Sequence, residues 1–471
     1  MSYQSVIGLE IHVELKTKTK LFCSCKNSFG GAPNHRICPI CTGQPGTLPH
    51  INAEAVRLAY FAAAALGCTS FEASKQSRKH YFYPDLPKGY QISQNELPIA
   101  RNGKFEYIID GEVRTVGIDN VHLEEDAGKL VHNAGNETEI DYNRAGVPLI
   151  EIVTRPDLRY PSEVRAFLEA LRIYLIRCGV SECRMQEGAL RCDVNVSLRR
   201  HGEKRLNERV EMKNVNTFSG AERAVAYEIA RQTDILKSGS TVEPQTRRWD
   251  DIQRKSFVLR TKENAIDYKY MPDPDIPPYA VKKSELSELM KRVPENDVIK
   301  RKRFLNAGIT PADADVILSD TDMTDFAEEC IRLNGCAAEC AKFLTNEISS
   351  IRIPLSESRL TPGQLVYIAN LIINGKINRG GAKAIILKLM SDGGNEKEIS
   401  RDYIFETSQA DMEKAAEEVI CENEKVVSDY LGGKENAIAF LMGKCMRKLG
   451  KKAPANELVK ILQMQIERYK S

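Results

Sequence analysis

The sequence predicts an α+β fold: an N-terminal antiparallel-sheet cradle, then an all-α helical domain and a small helical tail. Three observations carry this. Runs of alternating polarity, the mark of half-buried strands, fall early in the chain, at Val6 to Leu15, Leu190 to Leu198 and Arg209 to Val215. Helical runs at Asn52 to Leu66 and Pro161 to Cys178 are interleaved with them. Beyond about residue 285 the strand patterns cease, and helix starts of the form cap residue plus proline appear at Thr310-Pro311 and Thr361-Pro362, with stops at Gly335 and Gly393-Gly394.

The 471 residues suffice for about three domains at roughly 150 residues each. Four of the nine residues from Met271 to Tyr279 are proline, which removes backbone donors and stops helix and central strand alike, so the first boundary is expected there. A glycine-containing loop at Asp392 to Ser400 is the expected hinge to the tail. The expected domains are therefore 1–285, 286–400 and 401–471.

Lys plus Arg number 67 against 65 Asp plus Glu, a net charge of +2, which excludes a protein that coats nucleic acid through its overall charge. The tail is nevertheless polarised: Arg401 to Glu435 holds ten acidic and four basic residues, Lys444 to Lys470 eight basic and two acidic. The uncharged, largely apolar stretch Leu58 to Phe71 has 14 residues against the roughly 20 that cross a bilayer, and Glu10 interrupts the N-terminus before a signal-peptide core forms. A soluble cytoplasmic protein with no membrane partner is expected, and its 13 cysteines are expected as thiols or metal ligands rather than disulfides.

Cys23, Cys25, Cys38 and Cys41 form C-x-C-x12-C-x2-C, two close pairs across a loop containing Gly30, Gly31, Pro33 and Asn34. Four thiolates so spaced suit a closed tetrahedral zinc site of structural type; free or redox thiols are the competing reading. In the first strand, period two puts Glu10, His12 and Glu14 on one face and Leu9, Ile11, Val13 and Leu15 on the other. Glu151, Asp193 and Glu211 likewise interrupt apolar strands, and Glu124, Glu125 and Asp126 follow His122. Side by side, such strands make a floor of hard oxygen ligands for magnesium, which clamps phosphate; taken singly, each is a solvated strand face. All seven histidines lie within the first 201 residues, so any histidine chemistry lies there. The segment Lys79 to Tyr90, with Tyr81, Lys88 and Tyr90, reads either as a base-stacking and phosphate-binding loop or as a rigid aromatic plug. There is no G-x-x-x-x-G-K-S/T and no G-x-G-x-x-G, so a nucleotide site here is neither a P-loop nor a Rossmann crevice.

Ile7 to Leu15, His80 to Gln94, His122 to Lys129, Asp141 to Glu151, Met185 to Ser197, Glu211 to Phe218, Thr246 to Trp249 and Asp267 to Pro278 together resemble the B-subunit family of the glutamine-dependent aspartyl/glutamyl-tRNA amidotransferases, in family order across nearly the whole chain. The resemblance implies a kinase-like cradle of the glutamine synthetase and guanido-kinase type, a helical domain, and a tRNA-binding tail of the YqeY type. It implies ATP-dependent phosphorylation of the side-chain carboxylate of Glu or Asp misacylated on tRNA(Gln) or tRNA(Asn), followed by displacement of phosphate by ammonia. ATP, Mg2+ and a structural Zn2+ are the implied cofactors. The implied partners are an amidase (A) subunit that hydrolyses glutamine and a small C subunit.

Carried over by motif, Glu10, His12, Glu125, Glu151, Asp193 and Glu211 form the catalytic shell, with Glu10, His12, Glu125 and Glu151 on magnesium. Lys79, Tyr81, Lys88 and Tyr90 are the implied nucleotide contacts, and Lys444, Arg447, Lys448, Lys451 and Lys452 the implied tRNA contacts. The chain departs from the pattern after Gly450, where an extra lysine precedes Ala453-Pro454. With no histidine after residue 201 and no Gly-Ser-Ser-Gly stretch, it must borrow its ammonia.

Overall fold

The structure is a computed structural model that describes residues 3–132, 137–203, 205–261, 268–333, 336–351, 353–405, 407–434, 436–450 and 453–469. Asp267, Gly335, Lys451 and Lys452 lie outside the described residues. The α+β expectation holds. The chain divides into two compact units, 1–300 and 301–471.

The first unit contains strands β1 (Tyr3–Glu14), β2 (Ser77–His80), β3 (Tyr90–Ser93), β4 (Ala100–Ile109), β5 (Glu112–Glu125), β6 (Lys129–His132), β7 (Thr138–Asp141), β8 (Pro148–Thr154), β9 (Leu190–Arg200), β10 (Val210–Val215), β11 (Gln245–Asp250), β12 (Lys255–Thr261) and β13 (Met271–Pro272). Eight of them form one sheet in the order β12-β11-β10-β9-β1-β8-β5-β4. Every neighbouring pair in it is antiparallel except β10 and β11. The alternation in β1 has the expected effect: Ile7, Leu9, Ile11 and Val13 are buried on one face, leaving the polar residues for the other.

Helices α1 (Ala53–Ala65), α2 (Pro161–Arg177) and α3 (Phe218–Lys237) join the same core, and their ends are set by local chemistry. Asn52 Oδ1 accepts from Glu54 N at 2.9 Å and Ala55 N at 3.3 Å. Pro161 opens α2, where Glu163 reaches back to the Arg159 and Tyr160 amides. Thr217 caps α3 through the Gly220 amide at 2.9 Å.

The proline-rich segment is built into the first unit rather than linking it to the next. Met271–Pro272 pairs with β2 to complete a small sheet, β13-β2-β3. The donors left between the prolines are bonded: Asp273 N to Gln76 O at 2.9 Å, Tyr279 N to Ser74 O at 3.0 Å, and Asp275 N and Ile276 N to Asp273 Oδ1 at 2.8 and 3.2 Å. Proline bars a central strand and still serves at an edge. The first unit then continues through α4 (Lys283–Lys291) into the start of α5 (Asp297–Asn306).

The second unit is helical throughout its described residues: α6 (Pro311–Leu318), α7 (Thr321–Arg332), α8 (Ala337–Lys342), α9 (Pro362–Ile373), α10 (Arg379–Ser391), α11 (Glu396–Ser400), α12 (Gln409–Glu422), α13 (Glu424–Leu431), α14 (Ala437–Lys448) and α15 (Ala455–Tyr469). Thr310 and Thr361 cap α6 and α9 as expected. Two separate hydrophobic clusters lie inside it, one from Phe304 to Met390 and one from Met412 to Ile466. The expected hinge at Asp392 to Ser400 is in part ordered helix, because Asn395 caps α11 and Ile399 packs on the first of these clusters.

Candidate metal and phosphate site

Sheet register assembles the acidic residues. His12 on β1 lies opposite Glu151 on β8, which in turn lies opposite His122 on β5. Glu10 lies opposite Asp193 on β9, and Asn195 opposite Glu211 on β10. Two clusters result, His12–Glu124–Glu151 and Glu10–Asp193–Glu211, each with its ligand atoms within 4.8 Å of one another.

In the first cluster His12 Nε2 stands 3.4 Å from Glu151 Oε2 and 3.6 Å from Glu124 Oε1. His122 Nε2 meets Glu151 Oε2 at 2.9 Å, and Ser93 Oγ donates to Glu124 Oε2 at 2.9 Å. Burial pulls the His12 pKa down, but Glu151 and Glu124 outweigh it and raise it to about 9. Burial acts against Glu151 as well, and the two histidines hold it well below the ordinary carboxylate range. Adjacent ligands of an octahedral magnesium at 2.0–2.1 Å stand about 3 Å apart, so a modest contraction of this set would suit the ion.

The second cluster already contains a cation. Lys213 Nζ lies 2.5 Å from Asp193 Oδ2 and 2.9 Å from Glu211 Oε1. Glu211 also accepts from Thr246 Oγ1 at 2.8 Å, and Asn195 Nδ2 donates to Glu10 Oε1 at 2.9 Å. Burial first, then the Glu151 charge, raises the Glu10 pKa. A bulge at the end of β10, with Asn214 at φ 64°, sets the strand just after Lys213. A divalent ion bound by these three carboxylates would have to displace Lys213 Nζ from Asp193 and Glu211. Glu14, the second acid on that face of β1, stands apart beside Asp126 and Arg191; burial, then Asp126, pushes it up to about 7.

Five of the six expected catalytic residues, Glu10, His12, Glu151, Asp193 and Glu211, thus come together. Glu125 does not join them. Its carboxylate takes Lys88 Nζ at 2.5 and 2.6 Å and the Ile92 amide at 2.9 Å, on the side of β5 away from His122 and Glu124. Glu124 occupies the cluster instead, and the parity of β5 could have found it, since Glu124 lies two residues from His122.

The four expected nucleotide contacts divide in the same way. Lys79 Nζ lies over the Tyr268 ring at 4.8 Å, and Tyr81 packs edge-on to that ring at 5.9 Å. Glu124 and Glu151 act on the Lys79 charge. Arg260, which sequence reasoning missed, links the two clusters' surroundings, with Nη2 3.7 Å from Glu211 Oε2 and Nη1 3.4 Å from the Tyr268 hydroxyl. Lys88 and Tyr90 instead line a cavity of about 230 Å3 with Cys23, Cys41, Arg78 and Glu125. Gly43, at φ 66°, lets the knuckle close on Lys88: a Cβ there would come within 2.5 Å of Lys88 Cγ.

The sulfurs of Cys23, Cys25, Cys38 and Cys41 lie within 4.8 Å of one another. Zn–S bonds of about 2.3 Å put tetrahedral sulfurs about 3.8 Å apart, so the set fits zinc with no position left open. In the second unit, Lys444 on α14 rests over the Phe440 ring at 5.6 Å and Arg447 is exposed. Lys448 is engaged with Glu418 and Glu422 of the acidic helix α12, at 2.9 and 2.7 Å.

Acidic clusters in register on one sheet face, flanked by Lys79, Lys213 and Arg260, supply the hard oxygen donors that could hold divalent cations. A family model described as the GatB/GatE catalytic domain matches residues 5–287, and one described as the GatB domain matches residues 325–466. A relative in Carboxydothermus hydrogenoformans is 42% identical over 456 residues, 94% of this chain and 95% of that one. One in Caldicellulosiruptor bescii is 42% identical over 479 residues, 99% of this chain and all of its own. Both relatives carry the name of the B subunit of aspartyl/glutamyl-tRNA(Asn/Gln) amidotransferase. The chain belongs to the GatB/GatE family.

Proposed function

We propose that the chain is the B subunit of a glutamine-hydrolysing, tRNA-dependent amidotransferase, acting on Glu-tRNA(Gln), Asp-tRNA(Asn) or both. The observation that carries this reading is the pair of acidic clusters in register on one face of the sheet. A carboxylate resists amidation because its leaving group would be oxide. In the first step an oxygen of the misacylated side chain bonds to the γ-phosphorus of ATP as the bond to ADP breaks. In the second, ammonia nitrogen bonds to the carbonyl carbon, phosphate leaves, and the nitrogen gives up a proton.

Held by His12, Glu124 and Glu151 and by Glu10, Asp193 and Glu211, divalent cations would offset the charge of the transferring phosphoryl group. Lys213 and Arg260 add fixed positive charge beside Glu211. Lys79 and Tyr81 remain the nucleotide contacts in this reading, because they border the His12 cluster. Lys88, Tyr90 and Glu125 belong to the neighbouring cavity. Ammonia comes from an amidase partner braced by a small third subunit, and Lys444 and Arg447 contact tRNA through its phosphates. No described helix is long and apolar enough to cross a membrane.

The test is a reconstituted complex with the amidase and small subunits, supplied with ATP, magnesium, glutamine and each misacylated tRNA in turn. Amide formation matched by ADP release is expected with at least one tRNA. A metal-bearing tRNA-binding scaffold would release no ADP with either, and that outcome would end the reading.

A further inference from the structure

An ammonium withdrawn from water must find acceptors or an anion, and lysine is seldom fully buried for that reason. Lys20 is 0% exposed. Its backbone is pinned next to the cysteine knuckle, with Lys20 N donating to Cys25 O at 2.9 Å and Leu21 N to Gly146 O at 2.8 Å. Its Nζ reaches two acceptors, the Tyr142 carbonyl at 3.2 Å and Cys41 Sγ at 3.7 Å. Among the described residues no carboxylate forms an ion pair with it. Among the described residues, Cys41 is the titratable group hydrogen-bonded to it.

Four neutral thiols would leave this ammonium uncompensated, whereas a zinc dication held by four thiolates carries a net charge of about −2. A dianion with its Cys41 sulfur buried beside Lys20 has the converse difficulty. We propose that Lys20 is the resident counter-ion of a metallated Cys23–Cys25–Cys38–Cys41 centre, donating an N–H···S bond to Cys41 and reducing the charge the fold must enclose. The inference rests on the zinc reading of the four cysteines.

The same side chain ties the centre to the segment that leads into β8. The knuckle loop grips that segment through Asn34 N to Asp141 Oδ1 at 2.9 Å, Asn34 Nδ2 to Ile140 O at 2.8 Å and Arg36 N to Asn143 Oδ1 at 2.8 Å. Tyr142, whose carbonyl Lys20 holds, donates its hydroxyl to Pro84 O at 2.7 Å. Lys20 therefore sits at the inner end of a bonded path from the knuckle to the loop that carries Tyr81.

The experiment uses the full-length chain. Zinc content is measured by elemental analysis, and zinc retention by transfer to a chromogenic chelator. Lys20→Met preserves the apolar stem and removes the charge; Lys20→Gln is a second neutral variant in case the first does not fold. Stoichiometric zinc in the wild type and retention about 10- to 100-fold weaker in a folded variant are expected, the range seen when an outer-shell partner of a metal ligand is lost. A folded neutral variant that holds zinc as tightly as the wild type overturns the inference alone. Wild-type protein with no zinc overturns the zinc reading and the inference with it.

Discussion

Glu124 and Glu125 are chemically identical neighbours with different surroundings. One faces His12 and Glu151 across the sheet, the other closes a bidentate pair with Lys88. Removing a carboxylate from a cation site lowers its ligand charge and hence its affinity. Glu124→Gln should therefore weaken Mn2+ binding by the full-length chain at least about tenfold, whereas Glu125→Gln should leave it within about twofold, as read by electron paramagnetic resonance titration. The opposite ranking would make Glu125 the ligand. At this scale much of the site was legible: alternation alone put Glu10 and His12 on one face and singled out Glu151, Asp193 and Glu211. The choice between adjacent acids depended on following strand parity back to His122. The partnership of Lys88 with Glu125 joins β5 to a residue 37 positions away and left no local trace.

Among elements, the proline-rich segment shows how a local rule can be right about backbone and misleading about organisation. Its prolines do exclude helix and central strand, yet Asp273 anchors the segment as the third strand of a small sheet. The Asp273 side chain is 0% exposed, takes Arg78 Nε at 2.8 Å and caps two amides of the following turn. Breaking such a pair leaves a charge without its partner, so Asp273→Ala should destabilise the first unit by about 3 kcal/mol. The chain's one tryptophan, Trp249, is buried in β11 and makes urea unfolding of this unit directly observable by fluorescence. A loss below about 1 kcal/mol would mean that the segment is held by something other than this pair. The limits of α1 and α2 and the starts of α6 and α9, by contrast, were readable nearly to the residue, because Asn52, Thr310 and Thr361 accept from amides of the first turn and Pro161 sets the opening φ of α2.

On the scale of the whole chain, the near-neutral total conceals an acidic α12 and a basic α14 that partly neutralise one another through Lys448. Ile404 packs on the cluster that spans Phe304 to Met390, and Phe405 N bonds to Lys376 O at 2.9 Å. A deletion of the last cluster should therefore begin after residue 406 rather than at 401. Removing 407–471 should leave the urea midpoint reported by Trp249 unchanged while weakening tRNA binding and flattening its dependence on salt. Undiminished affinity at physiological salt would remove the tail from tRNA recognition.

What the sequence alone determined are the properties that act over a few residues: strand faces, helix caps, the paired cysteines and the polarised tail. Its motif order also pointed to the family that the comparisons establish. What only the tertiary structure decided is which of those faces meet. Register across β5, β8, β1, β9 and β10 brought Glu124 rather than Glu125 to His12 and Glu151, while the small sheet and its loops separated Lys79 and Tyr81 from Lys88 and Tyr90, and packing of the knuckle buried Lys20 against Cys41. These are pairings between distant segments, settled by the collective packing of one core rather than by any local preference.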